Sequence, residues 1–424
     1  MATVERLRSF SSASYILGAT AVSGLCGYLV TGIVAGVLGP ADYAIFAVFW
    51  SALYLIVGGL TGIQQEITRG THPLPTGDNP TGRARTFAIG ASGTVLVLVL
   101  GSSVLWAPAV FPEHRVVTAI VLSLGTACYV FVSTISGILY GLSLWIFIAL
   151  MVALDGVTRL VFVGLALLLQ LGEIGLEAAT VMPFLVVPLI LWFWVRPRIV
   201  GRYRVDVAMG GLVWNAIRAI VASAATAVLV SGFPLLVGAS ARGTSSATVG
   251  AFLLAVTLTR APLVVTFLAL QSYFVVLFRG RGHQPGPFWR LMGLLAGGVA
   301  VVSVVFAALA LWLGEAVFVA IFGPDYAVSG VTLALLVLTS GLVALLAISG
   351  SALLARGAHS WFAASWLVTA AATIIVVSGP GELIPRALAA LAIGPSAGLV
   401  LQAIGNLLVE RDARRLVSAD RDRL

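Results

Sequence analysis

The chain is a succession of long apolar runs separated by short polar stretches. Crossing the hydrocarbon core of a bilayer takes about 20 predominantly apolar residues in helical form. Runs of that size fall near 12–38, 43–65, 86–110, 116–140, 146–169, 176–195, 213–239, 247–277, 288–313, 328–354, 359–378 and 384–409. Strands of a lipid-facing barrel would alternate polar and apolar positions over about ten residues. These runs are longer and do not alternate, so they read as helices. The first is too long for a signal-peptide core and has no clear small-residue cleavage site, so it is expected to remain as a span. The pattern predicts an all-α integral membrane protein with twelve transmembrane helices.

The polar stretches carry the orientation. Near the middle, WFWVRPRIVGRYRVD (192–206) ends an apolar run on two Trp and then presents Arg196, Arg198, Arg202 and Arg204. Aromatics followed by clustered Arg read as a membrane interface leading into a cytoplasmic loop. With the N-terminus in the cytoplasm, eighteen Arg fall in cytoplasmic segments and three, Arg115, Arg242 and Arg386, in outer loops. Arg159, Arg218 and Arg260 lie inside predicted spans. The expectation is a multi-pass protein of the plasma membrane with both termini cytoplasmic. Trp145, Trp192, Trp194, Trp214, Trp289 and Trp361 fall at inner boundaries, Trp106 and Trp312 at outer ones; Trp50 and Trp366 fit neither belt.

Composition agrees and closes off other classes. The chain is 60% hydrophobic and 9% charged, with a mean hydropathy of +1.09, against about 25% charged in soluble domains. The net charge is +8 and there is no Lys. Confinement of the Arg to short loops argues for topology rather than nucleic acid as the reason for that charge. Cys26 and Cys128 sit inside apolar runs, which gives no disulfide framework. His72, His114, His283 and His359 lie far apart at loops or boundaries, and no metal-ligand, phosphate-loop or nucleophile-elbow spacing appears. No enzyme chemistry, metal or cofactor is expected. The loop HPLPTGDNPTGRAR from His72 is rich in Pro and Gly and expected to be mobile. The tail ERDARRLVSADRDRL alternates charge sign and reads as a short solvated helix or a disordered end, its Arg near anionic lipid headgroups.

The two halves echo one another. Ala109-Val-Phe before the fourth run resembles Ala320-Ile-Phe before the tenth. Ile135-Ser-Gly near the end of the fourth resembles Ile348-Ser-Gly near the end of the tenth, and Ala41-Asp-Tyr-Ala-Ile-Phe aligns with Ala247-Thr-Val-Gly-Ala-Phe. Matches in order at similar offsets favour two pseudo-symmetric six-helix bundles around a central cavity, a transporter architecture with the substrate site between the halves. The expected division is 1–195, an Arg-rich cytoplasmic linker 196–212, a second bundle 213–409 and a charged tail 410–424.

The stretch LGPADYAIF from Leu38, Thr259-Arg-Ala-Pro in the eighth run, FGPDY from Phe322 and the Gly141 exit of the fourth run carry a resemblance. In their order within twelve spans, they resemble the polysaccharide-biosynthesis (O-antigen-type) flippases of the multidrug/oligosaccharidyl-lipid/polysaccharide exporter superfamily. The resemblance implies movement of lipid-linked oligosaccharide from the cytoplasmic to the outer leaflet. It departs from the family in having few charges within the spans.

Ionisable groups at membrane depth are costly and mark partners or pathways. Asp155 and Arg159 are four apart and share a helical face. They form either a self-neutralising pair or an Arg159 that faces the cavity and is held by Asp155. Arg260 has no acidic neighbour at helical spacing; Thr257 and Gln271 extend it into one polar stripe, and Pro262 should kink the helix beside it. Arg260 is either satisfied by carbonyls freed at that kink or binds phosphate through its planar fork. Arg218, beside Asn215, either snorkels to headgroups or meets an entering lipid. Gln65, Glu66 and Arg69 form either a polar helix end or part of an inner gate. Gly32/Gly36, Gly137/Gly141 and Gly394/Gly398 would allow close helix approach.

The expected cargo is a polyprenyl-pyrophosphate-linked glycan, with Arg260 and Arg159 on the diphosphate, membrane lipids around the chain, and glycan polymerase or ligase proteins as further partners. Two other readings stay open: a cation-coupled drug antiporter of the same superfamily, for which Asp155 alone qualifies as a carboxylate at depth, and a non-transporting scaffold.

Overall fold

Apolar runs become helices here, and Gly-Pro pairs or prolines stand at several of the interruptions, while Pro108, Pro188, Pro197 and Pro395 lie within helices. The computed structural model describes residues 2–74, 82–111, 114–241, 243–279 and 285–421. Side chains of residues 2–14, 109, 261, 262, 265, 269, 272, 285 and 412–421 are not part of that description. Most of the loop expected to be mobile (75–81), together with Arg242, Arg281 and Arg423, lies outside the described residues, as does the Pro262 ring on which a kink was expected.

Helix α1 (Ala2–Gly70) is broken once, at Gly39, where φ 78 and ψ 170 leave the helical region just before Pro40. Gly tolerates that positive φ, and Pro40 cannot donate to the preceding turn. Its apolar part, Tyr15–Gly70, has 56 residues. Uninterrupted it would reach about 84 Å at 1.5 Å per residue, far beyond one bilayer crossing, so the break divides it into the first two predicted runs. Helices α2 (Arg83–Val110), α3 (Arg115–Gly141) and α4 (Trp145–Leu168) follow.

The sixth predicted run is split into α5 (Gly172–Val181) and α6 (Pro183–Ile199), the seventh into α7 (Met209–Val230) and α8 (Phe233–Ala239), and the eighth into α9 (Ser246–Ala269) and α10 (Gln271–Arg279). Then come α11 (Pro285–Leu309), a π-helical turn at Ala310–Gly314, α12 (Glu315–Phe322), α13 (Gly330–Ala355), α14 (His359–Val377) and α15 (Leu383–Arg421). The charged tail continues α15 as helix through Arg421. Gly323 (φ 92, ψ 168) before Pro324 repeats the backbone geometry of Gly39-Pro40. Among the described residues ten helices are long and apolar enough to cross a membrane. This is a multi-pass, all-α membrane protein.

One feature is not helical. Thr71–Pro73 (β1) and Tyr203–Val205 (β2) pair antiparallel, Thr71 opposite Val205 and Pro73 opposite Tyr203. Three-residue strands leave no pattern of their own to read.

The chain forms two compact units, Met1–Ala227 and Val228–Leu424, so the division falls inside α7. In the first unit Leu60, Ile63 and Ile67 of α1 pack with Val130 and Leu139 of α3 and Val195 of α6. Gly137 and Gly141 let α3 lie against Ile67 and Thr71; a Cβ at either glycine would come within 2.7 Å of them. In the second unit Gly394 and Gly398 of α15 sit against Thr373 and Thr369 of α14, again too close for a Cβ. Gly36, by contrast, faces open space.

Candidate functional site

The two deepest arginines are built in the same way, one in each unit. Arg159 of α4 is 2% exposed. Its Nη2 donates to both Asp155 oxygens, at 2.7 and 2.8 Å, and its Nη1 donates to the Thr180 carbonyl. In an unbroken helix the Thr180 carbonyl would receive the amide of residue 184. The chain breaks at Met182 before Pro183, and Arg159 takes the carbonyl instead. The Phe184 ring lies 4.8 Å from the guanidinium carbon, Tyr54 5.5 Å and Trp50 5.9 Å. These rings attract the cation through their π faces. Trp50 thus has a place that no interfacial belt would give it.

Arg260 of α9 is 6% exposed, and its Nη2 donates to the Leu229 carbonyl at 3.2 Å. Leu229 is the penultimate residue of α7, just before the break at Ser231–Gly232, and Phe233, four residues on, places its ring 5.5 Å from the guanidinium. A carbonyl at a helix break and the ring four residues later are therefore held by a buried Arg in both units. The difference is charge. Among the described residues no carboxylate pairs with Arg260, and its Nε is buried without a hydrogen-bond partner.

The other expected site residues are dispersed. Thr257 is half-buried and donates back to Leu253 O on its own helix at 2.9 Å. Gln271 opens α10, so the stripe expected from Thr257 through Arg260 to Gln271 is interrupted at Leu270. That stripe assumed one continuous helix. The Gln271 Nε2 is buried without a partner, while its backbone carbonyl accepts from Ser351 Oγ at 3.3 Å. Arg218 is exposed on α7.

At the end of α1, Glu66 is 5% exposed and receives a two-pronged contact from Arg69, Nε to Oε2 at 2.8 Å and Nη2 to Oε1 at 2.6 Å. Asn215 of α7 adds a third donor to Oε1 at 3.0 Å. Gln65 is exposed and reaches Ser223 Oγ at 3.3 Å. The β1–β2 ribbon continues this seam: His72 Nε2 lies 3.2 Å from Asp206 Oδ2, and Arg83 Nη1 donates to Val205 O at 3.0 Å. The end of α1, the start of α2 and the first part of α7 are thereby tied together within the first unit.

Sequence reasoning missed Glu177. It is the second residue of the sixth predicted run, which reads as an edge, yet it is 4% exposed. Thr118 Oγ1 of α3 donates to its Oε1 at 3.0 Å, and Oε2 is buried without a partner. Glu177 is therefore a second carboxylate within the predicted spans, in addition to Asp155, and the more buried of the two. No spacing in the sequence marks it, because its hydroxyl partner Thr118 lies on another helix, 59 residues away.

No family model matches the chain. It is 32% identical over 391 residues to uncharacterized protein Mb3654 of Mycobacterium bovis, covering 90% of this chain and 88% of that one. It is also 32% identical over 394 residues to uncharacterized protein Rv1510 of Mycobacterium tuberculosis, covering 92% and 90%. The chain belongs to the family of these mycobacterial proteins. Its fold is that of the MATE transporters of the MOP superfamily. An inward-facing MATE transporter superposes with a TM-score of 0.65 at 16% identity, covering 94% of this chain and 96% of that one. An outward-facing one gives 0.61 at 15%, covering 96% of each.

Proposed function

We propose that this family member is a transporter that moves a lipid-linked, diphosphate-bearing oligosaccharide across the plasma membrane by alternating access, with both termini cytoplasmic. The observation that carries the reading is Arg260. It is a buried guanidinium without a carboxylate partner among the described residues, with one donor unused. Such a group suits an anion with several acceptor oxygens, and a diphosphate offers them. A phosphate oxygen would compete with the Leu229 carbonyl for the same guanidinium. The excess of Arg at one set of helix ends supports the orientation. The fold supports alternating access, since structures sharing it carry inward- and outward-facing forms.

Arg159 is the weaker candidate of the two for this role. Asp155 neutralises it, and the Thr180 carbonyl and three rings surround it. It serves the break between α5 and α6.

The test is flipping of a fluorescent polyprenyl-diphosphate oligosaccharide in proteoliposomes. A hydrogen bond to a charged group contributes about 1.5–3 kcal/mol. Arg260→Gln should therefore weaken half-saturation roughly 10- to 100-fold, with the protein still inserted. Unchanged flipping by a well-inserted Arg260→Gln removes the role. Glu177 favours a second reading, a cation-coupled drug antiporter, because such chemistry calls for a carboxylate at depth. Drug efflux by the reconstituted chain, without flipping of the lipid-linked sugar, would select it.

A further inference from the structure

Trp366 is the second tryptophan that fits neither interfacial belt. It lies within α14 and is 2% exposed. A buried indole ordinarily finds an acceptor for its N–H, yet Trp366 Nε1 is buried without a hydrogen-bond partner among the described residues. Arg260 Nε is in the same condition. Two buried donors without acceptors are costly, and one residue of this chain adjoins both. The Leu229 carbonyl receives Arg260 Nη2 at 3.2 Å, and the Leu229 side chain packs in one buried cluster with Leu346 and Trp366.

We propose, on the reading of Arg260 as the grip on the cargo, that the Trp366 indole N–H is the second donor to the diphosphate, reached when Leu229 gives way. A diphosphate carries acceptor oxygens on two phosphorus atoms. Arg260 engages one phosphate, and a neutral donor on another helix engages the other. Leu229 links the two contacts. A phosphate that takes Arg260 from the Leu229 carbonyl frees the last turn of α7. Movement of that turn withdraws the Leu229 side chain from the cluster that holds Trp366.

The hydroxyls near Trp366 are already committed to their own helix. Ser365 Oγ donates to Phe362 O at 2.7 Å, Thr369 Oγ1 to Ser365 O at 2.8 Å and Thr373 Oγ1 to Thr369 O at 2.8 Å. On α15, Gln402 Nε2 donates to Ser365 Oγ at 3.0 Å. That hydroxyl has given its hydrogen to Phe362 and can only accept, which fixes the orientation of the Gln402 amide. Gln402 Oε1 is left buried without a partner among the described residues, so it is the rival acceptor for the indole.

The experiment uses the full chain in nanodiscs with the tryptophan indole nitrogens isotopically labelled. The ten tryptophans give ten indole N–H resonances, and Trp366→Phe identifies one by its loss. Polyprenyl diphosphate and polyprenyl monophosphate are titrated separately. The diphosphate should move the Trp366 proton downfield, as a new hydrogen bond does. Trp366→Phe should weaken diphosphate affinity roughly 10- to 100-fold and leave monophosphate affinity unchanged, whereas Arg260→Gln should weaken both. Should Trp366→Phe fail to fold, Leu346→Ala, which alters the surroundings of the ring, assigns the resonance, and the wild-type titration decides. A Trp366 resonance unmoved by diphosphate, while Arg260→Gln still weakens both lipids, would overturn the second donor and leave the Arg260 reading standing. A resonance already downfield without lipid, and moved by Gln402→Leu, would overturn it by naming Gln402 as the partner. Equal affinities of wild type and Arg260→Gln would refute the Arg260 reading itself, and the second donor with it.

Discussion

Replacing Arg159 by Gln removes, in one step, two short contacts to Asp155, the cap on the Thr180 carbonyl and the cation shared by Phe184, Tyr54 and Trp50. The Asp155 carboxylate, 28% exposed, is left partly buried and unpaired. Breaking a buried ion pair from one side costs about 3–5 kcal/mol. The ring contacts add about 0.5–2 kcal/mol when desolvated, and part of the loss is recovered because Asp155 can reach water. A net loss of about 3–4 kcal/mol follows. Asp155→Asn keeps the shape and one acceptor but strands the cation in its cage, so it should cost about as much. The double variant removes both charges, and its loss should be well below the sum of the two, with a coupling of about 2–3 kcal/mol. The assay is unfolding of the full chain in detergent, followed through tryptophan fluorescence, because Trp50 reports on the cage directly. Arg159→Lys is the sharper probe. An ammonium cannot span Asp155 and the Thr180 carbonyl as a planar fork does, so it should recover less than half of the loss. Additive single losses, with coupling near zero, would refute the account of Arg159 as the centre of one network.

Three further outcomes follow from the same contacts. Gly398→Val should destabilise the second unit by about 1–3 kcal/mol, the usual cost of overpacking, read as a lower thermal midpoint in detergent, because its side chain would drive α15 away from Thr369. Gly36→Ala, facing open space, should leave that midpoint unchanged or slightly higher, since Ala is the better helix former. Asn215→Leu should leave Glu66 with Arg69 alone and cost about 1–2 kcal/mol, with faster amide exchange over 62–70 in mass spectrometry as the local sign.

Hydrophobic runs made the helices legible, because a bilayer imposes a length and a composition that soluble cores do not. Each apolar run falls on helix, and the Gly39-Pro40 break lies where two runs meet. The splits at Met182, Ser231–Gly232 and Leu270 were less legible. Each lies inside a run that remains apolar throughout, so hydropathy passes over it without a signal. Prolines at 183 and 234 hinted at the first two, yet proline is common in membrane helices and whether it interrupts one depends on what can take up the freed carbonyl. Here that partner is an arginine on another helix, far away in sequence. The same gap explains the site. Spacing paired Asp155 with Arg159 because both lie on one helix, whereas the attachment of Arg159 to Thr180 and of Arg260 to Leu229 is tertiary.

That shared attachment changes what a buried arginine means in this chain. Depth alone had pointed to both guanidiniums as grips for an anion. The contacts separate them: each completes a broken helix, but one carries its own counter-ion and the other does not. An anion arriving at Arg159 would have to displace a carboxylate already bonded through both oxygens. An anion arriving at Arg260 meets a single carbonyl at 3.2 Å and an unused donor. A phosphate that draws Arg260 away from Leu229 also releases the carbonyl that closes α7 at its break. Binding of the cargo headgroup and loosening of that break would then be one event, detectable as faster amide exchange over 229–236 when the lipid-linked diphosphate is added. Exchange there that stays constant with cargo, while Arg260→Gln still weakens half-saturation, would keep the grip and remove the link to the helix break.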